Sequence, residues 1–229
     1  MAGKTLKEYH PLFEGKDAEG VVKTALEIFG KKLALVSSFG AESAILLHIV
    51  SKLDPATPVI FLNTGKLFGE TLRFRDRLQE RLGLGDIRSI APLPQHITEQ
   101  DGKGDLWKKN PDQCCHIRKT LPLQRALEEF DAILTGRKKF QTKARSKMEI
   151  IEQDENGRFR INPLANWSLE ELGNYIDKHN LPRHPLVKDN YLSIGCMPCT
   201  DKVKKGESYR QGRWKGKDKQ ECGMHGEGI

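Results

Sequence analysis

Short, uninterrupted apolar runs alternate with amphipathic helical patterns through the first two thirds of this 229-residue chain. Residues 32–37 (KLALVS) and 58–62 (PVIFL) have the β-branched and aliphatic character of strands buried on both faces. Helical patterns follow them over 42–53 and 70–82; in the second, Leu72, Phe74, Leu78 and Leu82 fall at helical spacing. Further strands are expected at 86–90, 131–135 and 148–153, with a helix over about 111–130. Repeated strand–helix units imply an α/β fold with a doubly wound, mainly parallel sheet, which takes its ligands beyond the carboxyl ends of the strands. After Pro163 the texture changes. Asn166 and Ser168 precede a short helix (LEELGNYIDKH) carrying Glu170 and Glu171 in its first turn. Beyond Leu181, prolines and glycines break the periodicity, and the last thirty residues read as a basic, loop-rich tail.

Hydrophobic residues make up 37% of the chain before its 21 glycines are counted, which excludes a disordered polypeptide. No run approaches eighteen apolar residues, and MAGKTLKEYHPLF has neither the apolar middle region nor the cleavage site of a signal peptide. A soluble, cytoplasmic protein with no membrane partner is expected. Its five cysteines, an odd number without a secretory signal, are then ligands or reagents rather than a disulfide framework.

Four of the five form two groups: the adjacent Cys114 and Cys115, and the Cys196-Met197-Pro198-Cys199 knuckle. Asn110 and Pro111 read as a helix cap and first helical position, so the adjacent pair sits near a helix start whose dipole favours thiolate. Four cysteinyl sulfurs suit structural zinc or an iron–sulfur cluster. A tandem pair directs both sulfurs at one small ion only with strain, yet reaches two irons of a cubane, which favours the cluster. Lys119, four residues past Cys115, shares its helical face; it is either a counter-charge to a negative cluster or a solvated lysine. Cys222 stands apart in GKDKQECGMHGEG, among lysines and beside His225, as an accessible and electrostatically activated thiol or as a bystander.

Positive charge is focused. The formal net charge is +7, yet segment 137–147 holds six basic and no acidic residues and segment 202–219 eight basic against two acidic, leaving the remainder net acidic. Focusing of this kind suits a compact polyanion; no nucleic-acid-binding signature accompanies it. Arg210 and Arg213 are the candidates to fork onto phosphate or sulfate. Ser38-Phe39-Gly40-Ala41-Glu42-Ser43, between a strand and a helix, forms an anion cradle of backbone N–H groups without the Walker lysine. It resembles the loop of the ATP pyrophosphatases, with Phe39 and Glu42 in place of a glycine and an aspartate.

Together, SSFGAES, LNTGKLFGET, DQCCHIRK, TGRKKFQTKAR, GCMPCT, RQGRW and ECGMH resemble, in this order and over nearly the whole chain, the phosphoadenylyl/adenylyl-sulfate reductases of assimilatory sulfate reduction, nearest the bacterial iron–sulfur type. The resemblance implies an adenine nucleotide alpha hydrolase-like fold. It further implies a 4Fe–4S cluster on Cys114, Cys115, Cys196 and Cys199, with Lys119 beside it, and Cys222 as the catalytic nucleophile. Substrate binding falls to Lys119, Lys138, Arg145, Arg210, Arg213 and His225, with Ser38, Phe39, Gly40, Thr64 and Gly65 lining the nucleotide side. His225 either tunes the thiol or binds phosphate. The implied reaction reduces adenosine 5′-phosphosulfate to sulfite and AMP through an S-sulfocysteine, with thioredoxin or glutaredoxin as reductant. Residues 1–200 would form the nucleotide and cluster domain and 201–229 a mobile tail carrying Cys222. Two alternatives stay open: the same chemistry on 3′-phosphoadenosine 5′-phosphosulfate, and a zinc-stabilised, ATP-dependent thiolation or nucleotide-binding protein. Asn63 and Gly69 depart from the family's Asp-Thr-Gly and Phe-Pro-Glu-Thr patterns, and loss of proline loosens a helix start.

Overall fold

The computed structural model describes residues 5–204, 206–217, 219 and 221. Helices α1 (Leu6–Phe13) and α2 (Ala18–Phe29) lead into β1 (Leu33–Val36), followed by α3 (Ser43–Leu53), β2 (Val59–Leu62), α4 (Gly69–Leu82) and β3 (Ile87–Ile90). After α5 (Pro94–Asp101), α6 (Leu106–Lys109) and α7 (Pro111–Cys115), a π-helical turn at His116–Thr120 continues into α8 (Leu121–Ala126). Strand β4 (Ala132–Thr135), the hairpin β5 (Ile151–Gln153) and β6 (Phe159–Ile161), and α9 (Leu169–Lys178) complete the regular elements among the described residues.

The six strands form one sheet in the order β3-β2-β1-β4-β6-β5, parallel except for the β5–β6 pair. Period-two alternation splits their side chains between two layers. Leu33, Leu35, Val59, Phe61, Ala132, Leu134 and Ile161 face the main core under α2, α3, α4 and α9. Ala34, Ile60, Leu62 and Ile133 face Leu123 and Leu127 of the α8 region and Phe130. The expected doubly wound, mainly parallel sheet is thus present. Because β2 and β4 flank β1 on opposite sides, the chain leaves β1 in one direction and β4 in the other, opening a crevice at their carboxyl ends.

Three local differences from the sequence expectations have physical causes. The expected helix over 111–130 contains Pro122, which offers no N–H and crowds the carbonyl four residues earlier. The helix widens there, and Leu121 N donates to His116 O across a π turn. It then ends at Ala126 rather than Phe130, where Glu128 and Glu129 bring negative charge to the negative end of the helix dipole. Strand β6 was not expected; a turn at Asp154–Gly157, with Gly157 at φ 79°, folds it back on β5. Helices α1 and α2 were likewise not expected, although Asp17 caps α2 by accepting from Gly20 N at 2.8 Å. The anticipated Ser168 cap is present, with Glu171 completing a capping box. No helix among the described residues is long and apolar enough to cross a membrane.

Candidate functional site

The crevice between β1 and β4 is a cleft whose walls are the loop after β1, the loop after β4 and two stretches of the C-terminal third. In the first loop Ser37 Oγ accepts from Phe39 N at 3.2 Å, and Phe39 takes a left-handed backbone at φ 49°. A bulky residue adopts this conformation only when burial offsets its cost. Here the Phe39 ring is fully buried, edge-on to Phe61 at 5.3 Å. Ser38 and Gly40 therefore line the cleft while the Phe39 side chain anchors the turn from below and does not. The Phe39 side chain, expected to line the nucleotide side, instead packs into the core.

The second wall begins with Arg137, whose Nη2 donates to Glu152 Oε2 at 2.5 Å and to Asn162 Oδ1 at 3.1 Å. Burial, with Arg160 nearby, brings its pKa down to about 10. Lys138, also buried, pairs with Glu42; burial draws its ammonium down against the opposing pull of that carboxylate. The Tyr209 hydroxyl is held well above its usual range by burial and by Glu42, with which it shares a hydrogen bond. Arg145 lies on a 3-10 turn at Lys143–Lys147 capped by Thr142. Its Nη2 donates to Glu221 Oε2 at 2.7 Å, and its Nε is buried with no hydrogen-bond partner among the described residues. Arg210 reaches Glu221 at 3.4 Å, and the Arg213 guanidinium lies 4.3 Å over the Trp214 ring against Gly195. Lys138, Arg145, Arg210 and Arg213, 75 positions apart at the extremes, thus converge on one cleft with Ser38, Gly40, Thr64 and Lys119. Gly65 is exposed and does not line it; with φ 70° it turns the chain, its N–H held by Asn63 Oδ1 at 3.2 Å.

A smaller cavity abuts the cleft, and Cys114, Cys115, Cys196 and Cys199 all line it, with Trp107, Arg118 and Trp214. All four are free thiols. Asn110 caps α7 as expected, accepting from Gln113 N at 3.0 Å. The Cys196–Cys199 turn is tied in by Met197 N donating to Lys66 O at 2.8 Å and by Trp214 N donating to Cys199 O at 3.2 Å. Lys119 and Cys196 line both cavities and so form the wall between them. Arg118 is fixed by Asp101 at 2.6 Å and by Thr64 O at 2.7 Å.

The helix dipole does not decide the charge of Cys114: burial and the neighbouring Cys115 push its thiol up to about 11. Burial also raises Cys199, with Cys196 adding to the effect. At Cys196 burial acts in the same direction but is outweighed by Lys119, by the Thr64 hydroxyl at 3.2 Å and by Arg213, so this thiol lies below its ordinary value. No group of three or more His, Cys, Asp or Glu among the described residues is arranged to hold a single metal ion. The donor set is nonetheless all-thiol, and buried thiols that resist ionising are stabilised as thiolates by a bound cationic centre. Cys222 and His225 lie outside the described residues.

Sequence reasoning missed the carboxylates that organise this charge. Glu42 and Glu221 both stand inside quoted motifs, yet their pairing with Lys138 and with Arg145 is a tertiary fact.

The family described as the phosphoadenosine phosphosulfate reductase domain matches residues 32–202. A Mesorhizobium japonicum protein named adenosine 5′-phosphosulfate reductase is 45% identical over 93% of this chain and 84% of its own length. A Gloeobacter violaceus protein named phosphoadenosine 5′-phosphosulfate reductase is 38% identical over 96% of this chain and 93% of its own. The crystal structure of phosphoadenylyl-sulfate reductase from Candida auris in a phosphate complex superposes with a TM-score of 0.74 at 24% identity, covering 89% of this chain and 98% of that one, and shares the fold. With its sheet, its switch-point cleft and a match spanning most of its length, the chain belongs to the phosphoadenosine phosphosulfate reductase family.

Proposed function

We propose that this enzyme reduces adenosine 5′-phosphosulfate to sulfite and AMP at the expense of a dithiol protein. The observation that carries this reading is the convergence of Lys138, Arg145, Arg210 and Arg213 on a cleft that shares Lys119 and Cys196 with a four-cysteine cavity. A polyanion fits the cleft, the four cysteines lining the adjoining cavity support an iron–sulfur cluster, and the Mesorhizobium relative's name supports adenosine 5′-phosphosulfate as substrate.

In the proposed reaction the Cys222 thiolate attacks the substrate sulfur, the bond from sulfur to the bridging phosphate oxygen breaks, and AMP leaves with that oxygen and the electron pair. The sulfonate stays on Cys222 as an S-sulfocysteine. One thiolate of the reductant, thioredoxin or glutaredoxin, then attacks the Cys222 sulfur and expels sulfite. Its second thiol resolves the mixed disulfide, so the partner's dithiol is oxidised as the substrate sulfur is reduced. Ser38 and Gly40 present the loop after β1 to the nucleotide, while the guanidinium groups and Lys119 stabilise charge on the leaving phosphate and the moving sulfonate. A 4Fe–4S cluster on Cys114, Cys115, Cys196 and Cys199 supplies, when bound, a polarising charge behind Lys119. His225 has one of two roles, tuning the Cys222 thiol or binding phosphate.

Intact mass after adding substrate without reductant tests the scheme. The parent gains one sulfonate and Cys222→Ser gains none while retaining iron and AMP binding. An adduct surviving in that variant refutes the nucleophile assignment. The Gloeobacter relative's name favours a second substrate, 3′-phosphoadenosine 5′-phosphosulfate, and competition between the two nucleotides decides the preference. Iron and acid-labile sulfide, rather than zinc and an ATP requirement, separate this reading from a thiolation enzyme.

A further inference from the structure

The carboxylate one residue before the proposed nucleophile is held through both of its oxygens. Glu221 Oε2 accepts from Arg145 Nη2 at 2.7 Å and from Arg210 Nη2 at 3.4 Å, and its Oε1 accepts from Thr142 Oγ1 at 3.0 Å. The Glu221 side chain is only 15% exposed, and those of Arg145 and Arg210 are 8% and 14% exposed. Both carboxylate oxygens are therefore engaged in a place largely closed to water, where charge-assisted bonds are at their strongest. Two of the donors, Thr142 and Arg145, belong to the loop after β4 and are fixed to each other, since Thr142 Oγ1 accepts from Arg145 N at 3.3 Å. The third, Arg210, comes from the C-terminal segment itself, which is anchored by Trp214 at 3% exposure. Arg145 Nε is a further buried donor, with no partner among the described residues.

From this we propose that Glu221 is a positioning residue: its carboxylate clamps the main chain one residue before Cys222 to the rim of the anion cleft. The covalent link passes this restraint to the next residue, so in this proposal the carboxylate acts through Cys222 and not by touching substrate. The inference rests on Cys222 as nucleophile, and its chief readout does not. The same carboxylate has a rival role, that of an internal anion occupying the substrate's own place on Arg145 and Arg210, and the two roles give opposite binding results.

The test uses the full-length holoprotein with the variants Glu221→Gln and Thr142→Val. Peptide-resolved alkylation of Cys222 by iodoacetamide, without substrate, reads the clamp directly. It is expected to accelerate about tenfold in Glu221→Gln, by a smaller factor in Thr142→Val, and no further in the double variant than in Glu221→Gln. The first-order rate of sulfonate adduct formation at saturating substrate is expected to fall about tenfold in Glu221→Gln, with the dissociation constant for AMP unchanged. Equal alkylation rates in parent and Glu221→Gln overturn the clamp. So does AMP binding that tightens tenfold or more in Glu221→Gln, since that result assigns the carboxylate to the anion subsite instead. If the parent forms no adduct, the proposed function fails, and the alkylation comparison still decides the role of Glu221.

Discussion

At the scale of single residues, burial sets the charge of His184. His184 is 1% exposed, its Nδ1 accepting from Leu186 N at 3.2 Å and its Nε2 lying 3.0 Å from Thr71 Oγ1. Burial lowers its pKa to about 4, so between there and the unfolded value near 6.5 the unfolded chain binds a proton that the folded protein does not. The stability contribution of neutral His184 is whole above pH 6.5 and is lost as pH falls toward 4, on the order of 3 kcal/mol across the window. Chemical denaturation at pH 7 and pH 5 should show a smaller acid loss for His184→Gln than for the parent; equal losses refute the assignment. Gly195 makes a steric prediction. A Cβ there overlaps the Arg213 guanidinium, the movable end of a flexible side chain, so Gly195→Ala should displace the arginine rather than unfold the chain. Calorimetry should find AMP binding weakened about tenfold, with a stability change within about 1 kcal/mol. Arg213 was expected from RQGRW as a guanidinium able to fork onto phosphate or sulfate, and it does line the cleft. That a glycine eighteen positions upstream holds space for it was not legible, since nothing local in GCMPCT requires the contact.

At the scale of elements, strong periodic patterns were legible and interruptions were not. The helices after β1 and β2 and the Ser168 cap follow from apolar spacing and a local hydrogen-bonding residue. The π turn at His116–Thr120 arises from one proline acting on a pattern that otherwise reads as continuous helix. It is also what a spacing argument for Lys119 has to survive: the lysine still reaches the cysteine cavity, although the turn between them is wider than an α-helical one. Gly69 occupies the first position of α4 after Phe68 in an extended conformation at φ −66° and ψ 143°, which a following proline tolerates. Gly69→Pro should therefore stabilise the fold by about 0.5–1 kcal/mol, chiefly by restricting the unfolded chain. A lower midpoint of chemical denaturation refutes this.

At the scale of the whole molecule, the cysteine cavity joins three distant parts of the chain: α7, the Cys196–Cys199 turn and Trp214 of the C-terminal segment. A group bound to all four thiols would therefore brace that segment against the sheet. Removing it by chelation under reducing conditions should speed proteolytic cleavage within 201–217 several-fold while cleavage in the parallel sheet stays slow. Unchanged cleavage in 201–217 speaks against a bracing role. The sequence by itself determined the sheet class, the two groups of cysteines and the concentration of basic residues in two segments. These follow from periodicity, spacing and charge, which are local properties. Only the tertiary structure decided that the two basic segments share one cleft at the β1–β4 switch point, that Phe39 turns into the core, and that Glu42 and Glu221 are paired to the cleft's cations. The physical reason is that burial and ion pairing depend on residues far apart in the chain, 96 positions for Lys138 and Glu42, whose proximity is set by strand order and not by any pattern along the chain.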